Sequence, residues 1–292
     1  MIADYVILDA EMIKKLPRKI AAATGVDALA HAIECWTSNK ANPFSDIFSL
    51  QALDMILNNI EKACDDPEAM DAKNQMQIAS FYAGVAITAS GTTAVHALSY
   101  PLGGKYHIAH GVSNAILLAP VMRFNEPACR ERLAAAYDRC IRGGAVTVED
   151  KSAAVIAKLE GIVKHLDIPT SLTEFGVPKE DLEALVASGM EVTRLLVNNM
   201  REVTPDDARR ALLPTEGQFA SNVARELICA ASGKTAEQLI SDRDLYASEE
   251  ICELAQSFVR RRVAGEPMPY ILGEWDFYGM TLTVTPDVLI PR

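Results

Sequence analysis

The chain has 292 residues, of which 49% are hydrophobic, and it carries a formal net charge of −11 with a pI near 5.0. This composition excludes a disordered chain, and the acidic balance argues against nucleic-acid backbone binding as the main activity. No run of about 18 apolar residues occurs, so we expect no membrane-spanning helix. The length favours two domains, and the abundance of Ala and Leu, with only 6% aromatic residues, favours a mainly α fold.

The cysteines indicate a reducing compartment. The six of them are spaced without any Cys-x-x-Cys pair: Cys35, Cys64, Cys129, Cys140, Cys229 and Cys252. We interpret them as reduced thiols rather than disulfides or zinc ligands. The start of the chain is interrupted by acidic residues and has no basic segment before an apolar one, so we expect no signal peptide. We therefore expect a cytoplasmic protein.

Hydrophobic periodicity and turn residues predict short elements, then long helices, in the first part of the chain. In chain order these are a strand at 5–8, a helical turn at 12–16, a helix capped by Thr24 and running to about 37, a helix capped by Ser45, a helix over 71–89, a helix carrying His96 that ends at Pro101-Leu-Gly-Gly, and a helix over 112–122. The loop after Gly104 is expected to deliver His110 to the start of the last of these helices. The positive end of that helix dipole disfavours a charged imidazolium and helps to keep the ring able to bind a metal.

Two segments of this region carry four residues of metal-ligand type. Asp27 and His31 are four apart, so on a helix both side chains lie on one face, one turn apart. His96 and His110 lie at either side of a Gly-containing segment. One carboxylate and three imidazoles form a reasonable set of ligands for zinc or ferrous iron, with a position left open for substrate.

A less specific interpretation stands beside this one. A single Asp-x-x-x-His pair on a helix is more often a capping or surface pair than a metal site. His107 is not expected to be a ligand, because His110 is the residue beside Gly111, where a backbone can approach closely. His165 lies far along the chain in another predicted helix and is interpreted as a surface or capping residue.

Several separated motifs now occur in a recognisable order: Gly25-Val-Asp-Ala-Leu-Ala-His-Ala-Ile-Glu, Val95-His-Ala-Leu, Pro101-Leu-Gly-Gly and His110-Gly-Val-Ser-Asn-Ala-Ile-Leu-Leu. Together they resemble the iron-containing (group III) alcohol dehydrogenases, over about residues 4–213. The resemblance implies that Asp27, His31, His96 and His110 hold Fe(II) or Zn. It also implies hydride transfer between a small alcohol or aldehyde and NAD(P), and a tendency to form homo-oligomers.

Two features depart from that family. Tyr100 stands where many relatives have a second His that is thought to assist proton transfer or substrate placement. Tyr100 is the candidate catalytic residue, since its hydroxyl could hydrogen-bond a substrate oxygen, although a pKa of about 10 makes tyrosine a poor base at neutral pH. In addition, no Gly-rich phosphate loop follows a predicted strand, so no cofactor-binding residues for NAD(P) are assigned and the nucleotide-binding domain is expected to be missing.

The second part of the chain is predicted to be helical until near its end. The predicted elements are helices over 126–142, 148–165 and 181–197, a helix begun by Thr204-Pro205, a linker at 214–217, helices over 223–231, 236–241 and 248–263, and a β-hairpin around Gly279. The helix over 248–263 ends in Arg260-Arg-Arg262, which suits the negative end of its dipole.

This last part resembles the N-terminal domain of the protein-glutamine methyltransferases that modify peptide-chain release factors. The resemblance depends on Arg261-Arg-Val-Ala-Gly-Glu-Pro, Tyr270-Ile-Leu-Gly, Phe277-Tyr-Gly and Val284-Thr-Pro-Asp-Val-Leu-Ile-Pro-Arg. It implies a module that contacts a release factor, without the S-adenosylmethionine-binding domain. Arg260-Arg-Arg262 fits a partner contact or a solvated helix end equally well.

The sequence thus predicts a mainly α protein: a helical, dehydrogenase-like metal-binding domain at 1–213, a linker at 214–218, and a small helical domain ending in a β-hairpin at 219–292. Three interpretations of function stay open. The favoured one is an incomplete iron-type alcohol dehydrogenase, from a fragment or a fused reading frame. The others are a non-catalytic metal-binding fusion protein and the release-factor-binding part of a methyltransferase. The particular alcohol is not predicted.

Overall fold

The computed structural model describes residues 5–213, 220–242, 247–263, 266–277 and 280–284. It divides into two compact units, Met1–Pro214 (unit 1) and Thr215–Arg292 (unit 2). The predicted mainly α fold is confirmed over the described residues. The predicted linker at 214–218 lies outside them, as do the segments 1–4 and 285–292.

Unit 1 is built from helices. They are α1 (Arg18–Trp36), α2 (Pro43–Asp65), α3 (Met70–Ser90), α4 (Ala94–Tyr106), α5 (His110–Cys140), α6 (Val148–His165), α7 (Leu182–Met190), α8 (Thr193–Leu196) and α9 (Pro205–Leu212). In the described part of the chain, no single helix has both the length and the apolar composition to cross a membrane. Helices α3 and α4 meet the two criteria only when they are taken together, and the chain bends by 108° between them.

The core of unit 1 surrounds α1, which packs against α2, α3 and α5. The largest fully buried side chains come from α1, α2, α4 and α5: Leu29, Ile33, Leu53, Ile56, Ile60, Leu98, Leu102, Ile116, Leu117, Leu118, Met122 and Leu133. Burying an aliphatic side chain of this size contributes about 1.5–3 kcal/mol. Because α1 is surrounded by apolar neighbours, any polar side chain on its inner part has to find its partners within the protein.

One glycine sets how closely α5 approaches α1. A Cβ atom at Gly111 would lie 2.0 Å from the carbonyl oxygen of Ala23, which is backbone and cannot rotate away. The first turn of α5 therefore rests directly on α1, and this contact brings His110 to the part of α1 that carries Asp27 and His31. The sequence-based expectation of a close backbone approach at Gly111 is met by a helix–helix contact.

Several predicted boundaries in the first part of the chain were wrong. Residues 5–8 form no strand, since no described segment pairs with them. Helix α1 begins after Pro17, so Thr24 lies inside it, where its hydroxyl donates to the carbonyl of Ile20 at 2.8 Å. Asn42, rather than Ser45, caps α2; its side chain accepts from the backbone N–H of Ser45, which is the fourth member of a capping box.

Several predicted ends and divisions of helices were also wrong. Helix α4 continues through Pro101 to Tyr106, because Leu98 and Leu102 on either side are buried and their packing offsets the lost backbone hydrogen bond. The segments predicted as separate helices over 112–122 and 126–142 form one helix, α5, that is kinked at Cys129. The helix predicted over 181–197 is instead two, α7 and α8. Helices α6 and α9 begin as predicted, and α9 has Thr204 as its cap.

Unit 2 contains helices α10 (Ala220–Ser232), α11 (Ala236–Ser241), α12 (Glu249–Val263) and α13 (Met268–Leu272), followed by strands β1 (Glu274–Phe277) and β2 (Met280–Thr283). The strands pair antiparallel, with Glu274 opposite Thr283 and Phe277 opposite Met280. This confirms the predicted hairpin, although Gly279 itself lies outside the described residues. Helix α10 packs against α12, and Leu227 and Ala231 of α10 are buried.

Candidate metal centre

Three helices bring the four predicted ligands together. Asp27 and His31 lie one turn apart on α1, His96 lies in the first turn of α4, and His110 is the first residue of α5. One potential ligand atom from each residue can be chosen so that all four lie within 4.8 Å of one another. The Oδ1 atom of Asp27 is 3.4 Å from Nε2 of His110, 3.7 Å from Nε2 of His96 and 3.9 Å from Nε2 of His31.

The cluster is buried on one side and open on the other. The His96 side chain is only 2% exposed and that of His110 is 47% exposed, while Asp27 and His31 are intermediate at 23% and 25%. The imidazole rings of His31 and His96 stack with their centroids 4.6 Å apart, and those of His96 and His110 lie 5.2 Å apart. The opening is therefore on the His110 side.

Asn114 occupies the middle of this cluster. It is four residues after His110 on α5, and its Nδ2 lies 2.6 Å from Oδ1 of Asp27, 3.1 Å from Nε2 of His96 and 3.2 Å from Nε2 of His110. Its own Oδ1 is buried and has no hydrogen-bond partner. The Nδ2 atom of Asn114 therefore lies where potential ligand atoms of three other residues meet.

Glu34 supports the buried ring from behind. Its side chain is fully buried and contacts Nδ1 of His96 through Oε2. Its other oxygen, Oε1, accepts hydrogen bonds from the backbone N–H and the hydroxyl of Thr93, and from the backbone N–H of Val95, at 2.7–3.0 Å. The carboxylate thus ties the start of α4 to α1, and a buried charge of this kind needs such partners.

The electrostatics of the cluster favour a charged carboxylate. Burial alone would raise the pKa of Asp27, but the nearby imidazoles, that of His96 first, outweigh that effect and lower it. Burial lowers the pKa of His31. Burial also disfavours a charged His96, yet the carboxylates of Glu34 and Asp27 raise the pKa of that ring to about 9. Negative charge on two sides therefore favours positive charge at this position.

The geometry and the donors fit a divalent transition metal. Zinc binds imidazole nitrogen and carboxylate oxygen at about 2.0–2.2 Å, and tetrahedral ligands at that distance are about 3.4 Å apart. The separations from Asp27 to the three imidazoles, 3.4–3.9 Å, are close to that value. Three neutral nitrogens and one hard oxygen suit Zn or Fe(II), and they contain no thiolate that would select a softer ion.

The remaining candidate residues lie beside or outside the cluster. The Tyr100 ring is 5.9 Å from the His110 ring and 6.3 Å from the His96 ring, and the Arg194 guanidinium lies 5.7 Å from its centroid. His107 ends α4 in a left-handed conformation, with φ of 54°, and is exposed. His165 pairs with Asp65 at 2.5 Å, far along the chain from the candidate ligands.

Sequence reasoning missed the contacts of Asn114 and Glu34 with the cluster. Both residues lie inside the quoted motifs, and each follows a candidate ligand by a helical interval: Glu34 comes three residues after His31, and Asn114 four after His110. That spacing was the available signal, because residues three or four apart share a helix face. The partner on the other helix could not be read from spacing alone.

Comparison with known proteins agrees with this geometry. The model of the Fe-containing alcohol dehydrogenase family, C-terminal part, matches residues 21–213. The chain therefore belongs to the Fe-containing alcohol dehydrogenase family. Long-chain-alcohol dehydrogenase 1 of Geobacillus thermodenitrificans is 35% identical over 225 residues, which cover 76% of this chain and 56% of that protein.

Two further comparisons agree. NAD-dependent methanol dehydrogenase of Bacillus methanolicus is 35% identical over 187 residues, covering 63% of this chain and 49% of that enzyme. A crystal structure of 1,3-propanediol oxidoreductase superposes with a TM-score of 0.67 and 29% identity, covering 70% of this chain and 53% of the other. The chain thus spans about half the length of these relatives.

A second family model, that of the PrmC N-terminal domain, matches residues 206–273. The match begins within α9 of unit 1, continues through the described helices of unit 2, and ends at Gly273, immediately before β1. Within unit 2, Arg261 is engaged by Glu266, to which it donates at 2.6 and 2.8 Å. At least this arginine of the 260–262 run has a partner inside its own unit.

Proposed function

We propose that unit 1 is the metal-binding and substrate-binding part of a metal-dependent alcohol dehydrogenase that transfers hydride between a small alcohol or aldehyde and NAD(P). The observation that carries this proposal is the convergence of Asp27, His31, His96 and His110 within 4.8 Å. Membership of the Fe-containing alcohol dehydrogenase family supports the reaction type. The donor set suits Fe(II) and Zn equally well.

Each residue has a stated task in this proposal. Asp27 supplies a negative charge against the divalent ion, and the three imidazoles supply neutral donors, so the site keeps a positive charge that can attract an alcohol oxygen. When bound, the ion acts as a Lewis acid that makes the alcohol more acidic and the loss of hydride easier. Substrate would enter on the exposed His110 side, and the Tyr100 ring lies 5.9 Å from the His110 ring. In this proposal the Tyr100 hydroxyl hydrogen-bonds the substrate oxygen.

The nucleotide is not assigned to residues of this chain. The described residues contain no strand–helix–strand unit of the kind that binds dinucleotides, since their named strands are the two of the β1–β2 hairpin. NAD(P) is proposed from the family and from the name of the methanol dehydrogenase relative. We expect the isolated chain to show no nicotinamide binding by calorimetry.

The experiment is a metal and turnover measurement on the purified chain. We expect about one zinc or iron per chain after reconstitution, and loss of that metal in the double variant His96→Ala with His110→Ala. Tyr100→Phe is the matched control, because it keeps the ring beside the cluster and leaves all four ligands in place. Oxidation of NAD(P)H by small aldehydes would show a complete enzyme, metal without turnover would show a metal-binding half, and unchanged metal in the double variant would contradict the site.

A second candidate function concerns unit 2. The match of the PrmC N-terminal domain to residues 206–273 favours a docking module of the type found in release-factor methyltransferases. A pull-down with a peptide-chain release factor tests it, with Arg260→Ala as the variant, since Arg260 is exposed at the end of α12. Specific capture that is weakened by this variant would support docking, whereas no capture would leave unit 2 without this role.

A further inference from the structure

The two carboxylate oxygens of Glu34 have different hydrogen-bond partners. Oε1 is surrounded by hydrogen-bond donors: the backbone N–H and hydroxyl of Thr93 at 3.0 and 2.7 Å, and the backbone N–H groups of Val95 and His96 at 2.9 and 3.4 Å. Oε2 faces Nδ1 of His96. The three backbone N–H groups can only donate, and the Thr93 hydroxyl is oriented to donate. The side-chain atom of residue 34 that faces these four groups therefore has to be a hydrogen-bond acceptor.

This arrangement determines which nitrogen of His96 carries a proton. A carboxylate accepts hydrogen bonds, so the ring nitrogen that faces Oε2 has to present an N–H. The proton of a neutral His96 ring is then on Nδ1, and the lone pair is on Nε2. That Nε2 atom lies 3.7 Å from Oδ1 of Asp27, on the side of the ring where the other candidate ligands meet.

We propose that Glu34 is a positioning residue that holds His96 in the tautomer whose Nε2 can bind a metal. This inference depends on the proposed function, because it assigns His96 as a ligand. A metal-bound imidazole commonly donates its other N–H to a carboxylate, which fixes the tautomer and the ring orientation. Here the carboxylate is fully buried and is held by groups at the start of the same helix that carries the ligand.

One substitution reverses the tautomer while nearly preserving shape. In Glu34→Gln, the four donors around Oε1 require the amide oxygen at that position, so the amide NH₂ has to face Nδ1 of His96. Nδ1 then becomes the acceptor, the ring proton moves to Nε2, and the metal-binding lone pair is lost. We expect the zinc affinity to fall by at least about 10- to 100-fold, the usual effect of removing such a partner.

Thr93→Val is the matched control. It removes one donor to Oε1, the hydroxyl at 2.7 Å, but leaves the contact between Glu34 and His96 in place. If Glu34 acts on the tautomer, Thr93→Val keeps a zinc affinity close to that of the wild type, although it costs stability. If Glu34 only braces the start of α4, the two variants lose zinc affinity in proportion to their loss of stability, and the proposal is overturned.

A spectroscopic measurement on the wild type tests the same point without zinc and without a variant. Nitrogen-15 NMR of the imidazoles, in the metal-free chain at a pH high enough to leave the ring neutral, should show His96 protonated at Nδ1. A ring protonated at Nε2 would overturn the proposal even if zinc binds. If the chain binds no zinc but His96 is protonated at Nδ1, the proposed function fails while the role of Glu34 in setting the tautomer stands.

Discussion

At the scale of single residues, the chain places its buried polar groups where helices meet. Glu34, His96 and Asn114 are each at most 2% exposed, and each contacts a residue of another helix. Leaving such a group without a partner costs about 1–3 kcal/mol, and more if it is charged. Polar residues of the cluster therefore serve both stability and the candidate site.

A second polar cluster joins three helix ends at the surface. Arg18, at the start of α1, donates to Asp65 at 2.9 Å and to Asp167 at 3.0 Å, and His165 pairs with Asp65. The hydrogen bond from His165, with that from Arg18, lowers the pKa of Asp65. This connects the end of α2 to the end of α6.

The lowered pKa of Asp65 leads to a pH-dependent prediction. A carboxyl group whose folded pKa is below its unfolded value stabilises the fold above the unfolded pKa, and this contribution is lost as the pH falls through the folded pKa. We expect Asp65→Asn to destabilise the chain at pH 7 by about 1 kcal/mol or less, because the pair is exposed.

Chemical unfolding at a series of pH values measures the free energy of unfolding of the wild type and of Asp65→Asn. The difference between Asp65→Asn and the wild type should shrink as the pH falls below the ordinary Asp pKa of about 3.9. Asp167→Asn is a useful comparison, since Asp167 also pairs with Arg18 but is more exposed. A difference that stays constant on acidification would show that Asp65 does not stabilise the fold through its charge.

At the scale of helices, the candidate site depends on how closely α5 rests on α1. Gly111 permits a contact that any larger side chain would prevent, since its Cβ would lie 2.0 Å from the backbone oxygen of Ala23. His110 is the residue next to it. A small change in this packing therefore moves a candidate ligand relative to Asp27 and His31.

Gly111→Ala tests this dependence. The extra methyl group should force α5 away from α1, with a destabilisation of about 1–3 kcal/mol or more and a loss of zinc affinity. Gly84→Ala is the matched control, because no atom lies within 4 Å of a Cβ at that exposed position in α3. It should stabilise the chain by about 0.5–1 kcal/mol through helix propensity.

Calorimetric unfolding of the metal-free variants measures their stability, and zinc titration measures their zinc affinity. If Gly111→Ala keeps the stability and zinc affinity of the wild type, the close contact between α1 and α5 is not what positions His110.

Much of the helical architecture was predictable, because long helices bury a periodic apolar face. The residues at which the helices begin and end were less predictable. Thr24 has the residue type of a helix cap, yet helix α1 starts earlier because its buried face extends to Ala22. Pro101 normally ends a helix, but burial of its neighbours keeps α4 intact. Both errors come from packing between helices, which local sequence does not encode.

In the candidate site, too, the local residue pattern was predictable and the contacts between distant segments were not. The types and spacing of Asp27, His31, His96 and His110 were sufficient to propose a metal site, and the family resemblance grouped them. The role of Glu34 could not be predicted, because its partners belong to the start of α4, about sixty residues along the chain. Contacts of that range depend on the whole fold.

At the scale of the whole molecule, two compact units are joined in one chain, and family models match each of them in part. The buried hydrophobic cluster of unit 1 includes residues from α1 to α9, and unit 2 buries Leu227, Ala231 and Ile271. The division falls between Pro214 and Thr215, within the range 214–218 that the sequence predicts as a linker.

Limited proteolysis tests this organisation. We expect the first cleavage at 214–218, giving a stable fragment of unit 1 whose zinc content equals that of the full chain. Mass spectrometry of the fragments locates the cut. First cleavage inside α1–α6 would argue against unit 1 as an independent folded body.

The most direct measurement of the central claim is X-ray absorption at the zinc edge on the reconstituted 292-residue chain. We predict nitrogen and oxygen neighbours at about 2.0–2.2 Å, with the scattering pattern of three imidazoles, and the loss of one imidazole in His110→Ala. Sulfur neighbours at about 2.3 Å would instead place the ion on cysteines. That result, or a spectrum without imidazole scattering, would contradict the account.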